Sequence, residues 1–278
     1  MLSLGNWNDL PILRFTDHGA YLDAGEAGEI LMPKAYVRPE MRPGDVVTVF
    51  VYHDQNGRLV ATTETPLARV GDFAFLEVSW VNDFGAFLDW GLMKDLFVPF
   101  AEQRERMVRG RSYIIYVRLD ERTGRIVGTA RVDRYLTPAG PEYRRGREVQ
   151  LLVWQRTPLG YKVIVDNAHA GLVYADDLYA PIRPGQVLTG TVVSLRPDGK
   201  LDISLQRLGP DRFRDFAEEL LEELRAAGGE LPFSDASPAA EVQARFGVSK
   251  KTFKRALGTL YKQHLIRLEE GKISLLRR

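Results

Sequence analysis

Phe84 and Phe87 bracket a Gly85-Ala86 pair in the run Val81-Asn82-Asp83-Phe84-Gly85-Ala86-Phe87-Leu88-Asp89. Two flat rings on an outer face would form a platform on which nucleic-acid bases stack. The same rings turned inward are ordinary core. Residues three apart on a regular strand point to opposite faces. A shared platform therefore calls for a bend or bulge at Gly85. The arrangement recurs in weaker form, with His18 and Tyr21 around Gly19-Ala20, and Leu159 and Lys162 around Gly160-Tyr161.

Other chemistries find little support. The chain of 278 residues has no Cys, which excludes disulfides and Cys-based metal sites, and its four His (His18, His53, His169, His264) are too scattered for a cluster. No P-loop, zinc-ligand spacing or Gly-X-Ser-X-Gly elbow is present. Asp176-Asp177 could hold a metal but reads as a polar loop. A non-enzyme is expected, with no catalytic residue, metal or cofactor. No apolar run approaches the ~20 residues of a membrane span, and the N-terminus lacks a signal-peptide pattern, so a cytoplasmic protein without a membrane partner is expected. Net charge is +1, so any electrostatic footprint for nucleic acid must be local.

The elements that position the rings come in three copies. Gly19 and Gly85 are 66 residues apart, as are Gly44 and Gly110; Gly85 and Gly160, and Gly110 and Gly185, are 75 apart. Gly57, Gly124 and Gly199 form a third series with nearly the same steps. Between them the pattern repeats as a strand, a glycine, a short strand, an apolar triplet (Leu31-Met32-Pro33, Phe97-Val98-Pro99, Leu172-Val173-Tyr174), a long strand and a last strand. Five short strands per copy with regular turns predict a small all-β barrel, whose closure removes exposed edges.

These motifs, clearest in the middle copy, resemble the S1-type RNA-binding domain, an oligonucleotide-binding (OB) five-stranded barrel. The resemblance implies that bases stack at Phe84 and Phe87 in the second copy and at His18 and Tyr21 in the first. The third copy presents Leu159 and Lys162 and lacks both rings. The next ligand position implied by the family falls on Pro33, Pro99 and Tyr174, of which Tyr174 alone is aromatic. Its Asp and Arg beside the last hairpin fall on Asp54 and Arg58, Asp120 and Arg125, and Asp198 and Lys200. The middle copy carries an extra residue in that turn, so Arg125 matches less closely. Asp54, Asp120 and Asp198 can equally be turn starters.

From Asp211 the periodicity becomes helical. Phe213, Phe216, Leu220, Leu221 and Leu224 predict an amphipathic helix over 212–227, stopped by Gly228-Gly229. Pro238 opens a second helix to Arg245, and Ser249 caps a third, 250–264, with Phe253, Ala256, Leu257, Leu260 and Tyr261 on its apolar face. A hairpin over 265–276 completes a pattern that resembles a winged helix-turn-helix. Acids exceed bases by six over 211–241, and bases exceed acids by eight over 245–278. Lys250, Lys251, Lys254 and Arg255 start the third helix, where a winged helix contacts phosphates, and nucleic-acid contact is expected there, with a merely solvated surface as the alternative.

The fold expected is mostly β with an α C-terminus: S1-like OB domains over 1–65, 66–138 and 139–210, then a winged helix over 211–278. That order resembles the conserved virulence factor B-like group of bacterial RNA-binding regulators. The resemblance implies an RNA-binding protein of post-transcriptional regulation, with single-stranded RNA as partner and weak sequence preference. A DNA-binding transcription regulator whose barrels take a partner is the alternative.

Overall fold

Gly19, Gly85 and Gly160 stand where no side chain fits. In the computed structural model of the chain, each opens the second strand of a barrel. A Cβ there would lie 2.1, 2.3 and 2.1 Å from the backbone oxygens of Met32, Val98 and Val173 in the next strand. Such close approach of two backbones admits only glycine, which is why the series keeps its spacing. The structure describes residues 2–175, 178, 181–205, 210–269 and 271–276, with backbone alone for 210–215. Asp176 and Asp177 lie outside the described residues, as do Arg277 and Arg278.

The first barrel comprises β1 (Trp7–Thr16), β2 (Gly19–Asp23), β3 (Glu29–Pro33), β4 (Val46–His53) and β5 (Leu59–Thr62). Its closed order is β1-β2-β3-β5-β4, with β3 and β5 parallel, the OB topology. The second has β6 (Phe73–Val81), β7 (Gly85–Leu88), β8 (Leu96–Pro99), β9 (Ser112–Leu119) and β10 (Ile126–Thr129) in the same order, but β8 and β10 share no hydrogen-bonded ladder. Side chains fill that seam: the missing Cβ of Gly128 would sit 2.8 Å from Val98 Cγ2. The third barrel is β11 (Glu148–Thr157), β12 (Gly160–Val165), β13 (His169–Tyr174), β14 (Val187–Leu195) and β15 (Leu201–Ser204), closed like the first.

One device recurs in all three. The first strand slips register between Ile12 and Arg14, between Val78 and Trp80, and between Val153 and Gln155. The carbonyl before each bulge accepts the N–H of the second glycine series: Gly44 to Ile12 at 2.8 Å, Gly110 to Val78 at 2.9 Å, Gly185 to Val153 at 2.8 Å. Those glycines have φ of 92°, 74° and 89°, a left-handed conformation that side chains disfavour.

The chain divides into two compact units, Met1–Leu136 and Thr137–Arg278. Within the first, the two barrels share one apolar cluster. Trp90, between β7 and β8, meets Phe50 and Tyr52 of β4 edge-on, at 5.8 and 6.4 Å between ring centroids. Its indole N–H donates to the Lys94 carbonyl at 2.6 Å, so the buried polar atom is satisfied.

The C-terminal part holds α1 (Pro210–Ala226), β16 (Glu230–Leu231), α2 (Ala239–Phe246), α3 (Lys250–Lys262), β17 (Ile266–Glu269) and β18 (Lys272–Leu275), with sheet order β16-β18-β17. Ser249 Oγ accepts the Thr252 N–H at 3.2 Å and caps α3. Phe253, Ala256, Leu257 and Leu260 are buried against Leu220, Leu224, Val242 and Ile273. Two expectations change here. The sequence pattern predicts a loop over 231–237, but Leu231 belongs to β16, a strand of two residues that is too short to show alternation. Tyr261, assigned to the apolar face of α3, is 55% exposed, because it lies one step beyond the stripe that ends at Leu260. Among the described residues no helix is long and apolar enough to cross a membrane.

Candidate nucleic-acid interface

Strand alternation places Leu76 and Val78 inward and would send Trp80 after them. The bulge between Val78 and Trp80 reverses the direction, leaving Leu76 and Val78 buried and Trp80 44% exposed. Trp80 pairs with Phe87, and Phe87 with Phe97, across β6, β7 and β8. The three rings form a row: Trp80 and Phe87 are parallel at 3.8 Å, and Phe87 and Phe97 lie 4.9 Å apart at 37°. Trp80 Nε1 donates to Asp95 Oδ2 at 3.0 Å, which fixes the indole.

Phe84 precedes β7 at the tip of a turn and is 74% exposed. Asn82 Oδ1 accepts the N–H groups of Phe84 and Gly85, at 2.9 and 3.1 Å, and holds the turn. The bulge expected at Gly85 is thus in the neighbouring strand, and Gly85 itself pairs in register with Pro99. Phe84 and Phe87 do line one cleft, but through the turn. Phe87 has a ring on either side, so it offers an edge to a ligand, whereas Phe84 and Trp80 carry the exposed ring surface. Trp80 escaped the sequence reading because its direction depends on the bulge.

The equivalent row in the first barrel is Arg14, Tyr21 and Leu31. The Arg14 guanidinium lies 4.1 Å from the Tyr21 ring centroid and pairs with Glu29 at 2.6 Å. His18 is exposed at the turn that Phe84 occupies in the second barrel. Arg58 is held by Asp54 at 2.7 Å. Burial acts to raise the Asp54 carboxyl, but hydrogen bonds from the Arg58 backbone and side chain bring it below its ordinary range.

In the third barrel the row reads Gln155, Lys162 and Leu172. Lys162 Nζ sits 5.3 Å from the Trp154 ring centroid, and Leu159 is 65% exposed at the turn. Tyr174 is tied into the barrel: its hydroxyl donates to Asp202 at 3.3 Å and accepts from Arg196 at 3.0 Å. Lys200 pairs with Asp198 at 2.6 Å.

Arg125 differs from Arg58 and Lys200. The extra residue in its hairpin lets the Gly124 N–H reach back to the Asp120 carbonyl, four residues away, at 2.7 Å; in the first barrel Gly57 reaches Asp54, three away. Asp120 accepts from Thr123 Oγ1 at 2.6 Å and lies 3.9 Å from Arg118. The Arg125 side chain has no hydrogen-bond or ion-pair partner among the described residues, and it lines a cleft of about 440 Å³ with Phe84, Phe97, Lys94 and His53. Burial and then the nearby Arg125 charge hold the Lys94 ammonium below its ordinary pKa. Burial, followed by Lys94 and Arg125, does the same to His53. Burial pushes the Tyr52 phenol on the same wall up to about 12.

In the C-terminal unit, Lys251, Lys254 and Arg255 are exposed on α3, with Tyr261 and Lys262 further along the helix. Lys250 Nζ donates to the Ala236 carbonyl at 3.2 Å. The wing is less basic than its composition suggests. Lys272 pairs with Glu230 at 3.0 Å and Glu269 at 3.3 Å, and Arg267 lies 3.9 Å from Glu269. Among the described residues of the winged helix, Lys251, Lys254, Arg255 and Lys262 thus put an exposed cationic face on α3.

Residues 4–64 match the S1 domain, and residues 218–275 match the CvfB-like winged helix domain. The chain is 29% identical to the uncharacterized protein YitL of Bacillus subtilis, over 92% of this chain and 88% of the relative. It is 26% identical to conserved virulence factor B of Staphylococcus aureus, over 85% of this chain and 81% of the relative. A crystal structure of a multidomain protein with nucleic acid binding domains from Streptococcus pneumoniae is 26% identical, covers 98% of each chain and gives a TM-score of 0.43. S1 and winged-helix modules are nucleic-acid-binding domain types, and this chain carries both.

Proposed function

We propose that this chain, which belongs to the conserved virulence factor B-like proteins, is a non-catalytic protein that binds single-stranded RNA with weak sequence preference and acts in post-transcriptional regulation. The observation that carries this reading is the second barrel's outward surface, where Trp80 and Phe84 present exposed rings and Arg125, whose side chain has no partner among the described residues, lines one cleft with Phe84. Base–aromatic stacking contributes about 1–3 kcal/mol per base and tolerates any base. Duplex bases are already stacked and paired, so exposed rings favour single strands. The basic face of α3 adds phosphate contacts and, by itself, favours a second reading in which the winged helix docks on duplex DNA.

Titration of fluorescein-labelled U12, dT12 and a 12-base-pair DNA duplex at two salt concentrations separates these. The expected order is U12 tightest and duplex weakest, with affinity falling as salt rises. Preference for duplex DNA would establish the second reading instead.

A further inference from the structure

The cleft between the first and second barrels is built from both. Tyr52 and His53 come from β4 of the first; Phe84, Lys94, Phe97 and Arg125 come from the second. Its volume, about 440 Å³, falls in the range of small-ligand sites. The shared apolar cluster around Trp90 fixes the two walls relative to each other.

Its charges are unbalanced. Lys94 and Arg125 are near enough for the second to lower the proton affinity of the first. The acids nearby are already engaged. Asp95 accepts from the Trp80 indole, and the Asp54 carboxylate holds Arg58. Lys94 Nζ uses one donor on the Asp54 carbonyl, at 2.8 Å, and an ammonium has three. Nδ1 of His53 is buried without a partner among the described residues, which favours the uncharged ring. The lining carries two cations against one carboxylate, that of Asp95, which leaves room for a second anion.

We propose that this cleft is a nucleotide subsite, in which Lys94 and Arg125 together hold one backbone phosphate and the Phe84 ring takes an adjoining base. A planar guanidinium and an ammonium lining one cleft suit a phosphate oxygen pair. The inference rests on the RNA reading above and adds a place where the strand passes from one barrel to the other. The first barrel then contributes a wall of the site as well as its own outer face.

The test is fluorescence anisotropy of 5′-fluorescein-U12 with the full-length chain and its Arg125→Gln, Lys94→Gln and double variants. Arg125→Gln breaks no described contact and should melt like the parent. Its Kd should rise about 5-fold, and the salt slope of the double variant should fall by about 0.7, the value for one single-strand phosphate. U12 carrying a single neutral methylphosphonate, moved along the strand, should show one linkage whose neutralisation weakens the parent and has no further effect in the double variant. Parent chain that fails to bind U12 overturns the RNA reading. Parent binding with unchanged Kd, slope and methylphosphonate profile in Arg125→Gln and the double variant overturns the cleft subsite alone. Because Lys94→Gln also removes the Asp54 contact, Arg125→Gln decides if the lysine variant is unstable.

Discussion

The second and third barrels share strand order, bulge and glycine framework but present different outer surfaces. Where the second has Trp80, Phe87 and Phe97 in a row, the third has Gln155, Lys162 and Leu172. Where the second leaves the Arg125 side chain without a partner among the described residues, the third pairs Lys200 with Asp198 and locks Tyr174 to Asp202 and Arg196. Backbone requirements are met by the same residues in both, while the residues that touch solvent have diverged. Barrel formation and ligand chemistry are thus separable within one repeated unit. Burial and the Arg196 and Ser194 hydrogen bonds act oppositely on Asp202, and the net effect holds it ionised below its ordinary range. Tyr174, Ser194, Arg196 and Asp202 of the third barrel thus bond to one another.

This contrast can be broken in stability as well as in binding. Trp90→Ala should cost about 3–5 kcal/mol, the usual range for emptying a buried Trp site. In calorimetry the loss should fall on the unit over 1–136, where Trp90 packs, and leave the transition of 137–278 in place. Equal loss in both would contradict the division.

Next in size is the loss of rings. Trp80→Ala with Phe84→Ala should raise the Kd for U12 about 10- to 100-fold, from one or two stacked bases. The matching Gln155→Ala with Leu159→Ala in the third barrel should change it less than about 3-fold, as neither side chain presents a ring for a base to stack on. Equal effects would erase the distinction between the barrels. A sharper version adds rings: Leu159→Phe with Lys162→Phe should tighten U12 binding about 2- to 5-fold, a fraction of one stacked base. No gain would mean that the Arg125 cleft, rather than the rings, sets the difference.

The smallest effect concerns pH. His53 has an ordinary pKa of 6.5 that burial, Lys94 and Arg125 depress in the folded chain, with Asp54 opposing. The unfolded chain therefore takes up the proton first. Stability is full above pH 6.5 and declines as pH falls towards the folded value. His53→Gln should flatten that part of the melting-temperature profile and leave the region above it unchanged.

What could be read from the sequence follows the same division. The glycine series was legible because a 2.1 to 2.3 Å clash with a carbonyl admits one residue type at three positions. The helix cap at Ser249 was legible because a hydroxyl at that position can accept the free Thr252 N–H. The bulged positions Leu13, Ser79 and Trp154 share no side-chain character, so the feature that turns Trp80 outward left no mark. Phe87 was identified as a ring of the site, but its sandwiching by Trp80 and Phe97 depends on cross-strand register. The extra residue before Arg125 was visible as a weaker family match. That it releases the guanidinium into a cleft follows only once the turn's hydrogen bonds are known. The cleft itself depends on how two barrels pack, which no local pattern encodes.

The central claim is that bases lie on the rings of the second barrel. Photocrosslinking of 4-thiouridine-substituted U12 to the full chain, with the adducts mapped by mass spectrometry, tests it directly. Adducts at Phe84, Trp80 or Phe97 are predicted, with none at Leu159 or Lys162. Adducts confined to residues 137–278 would contradict it.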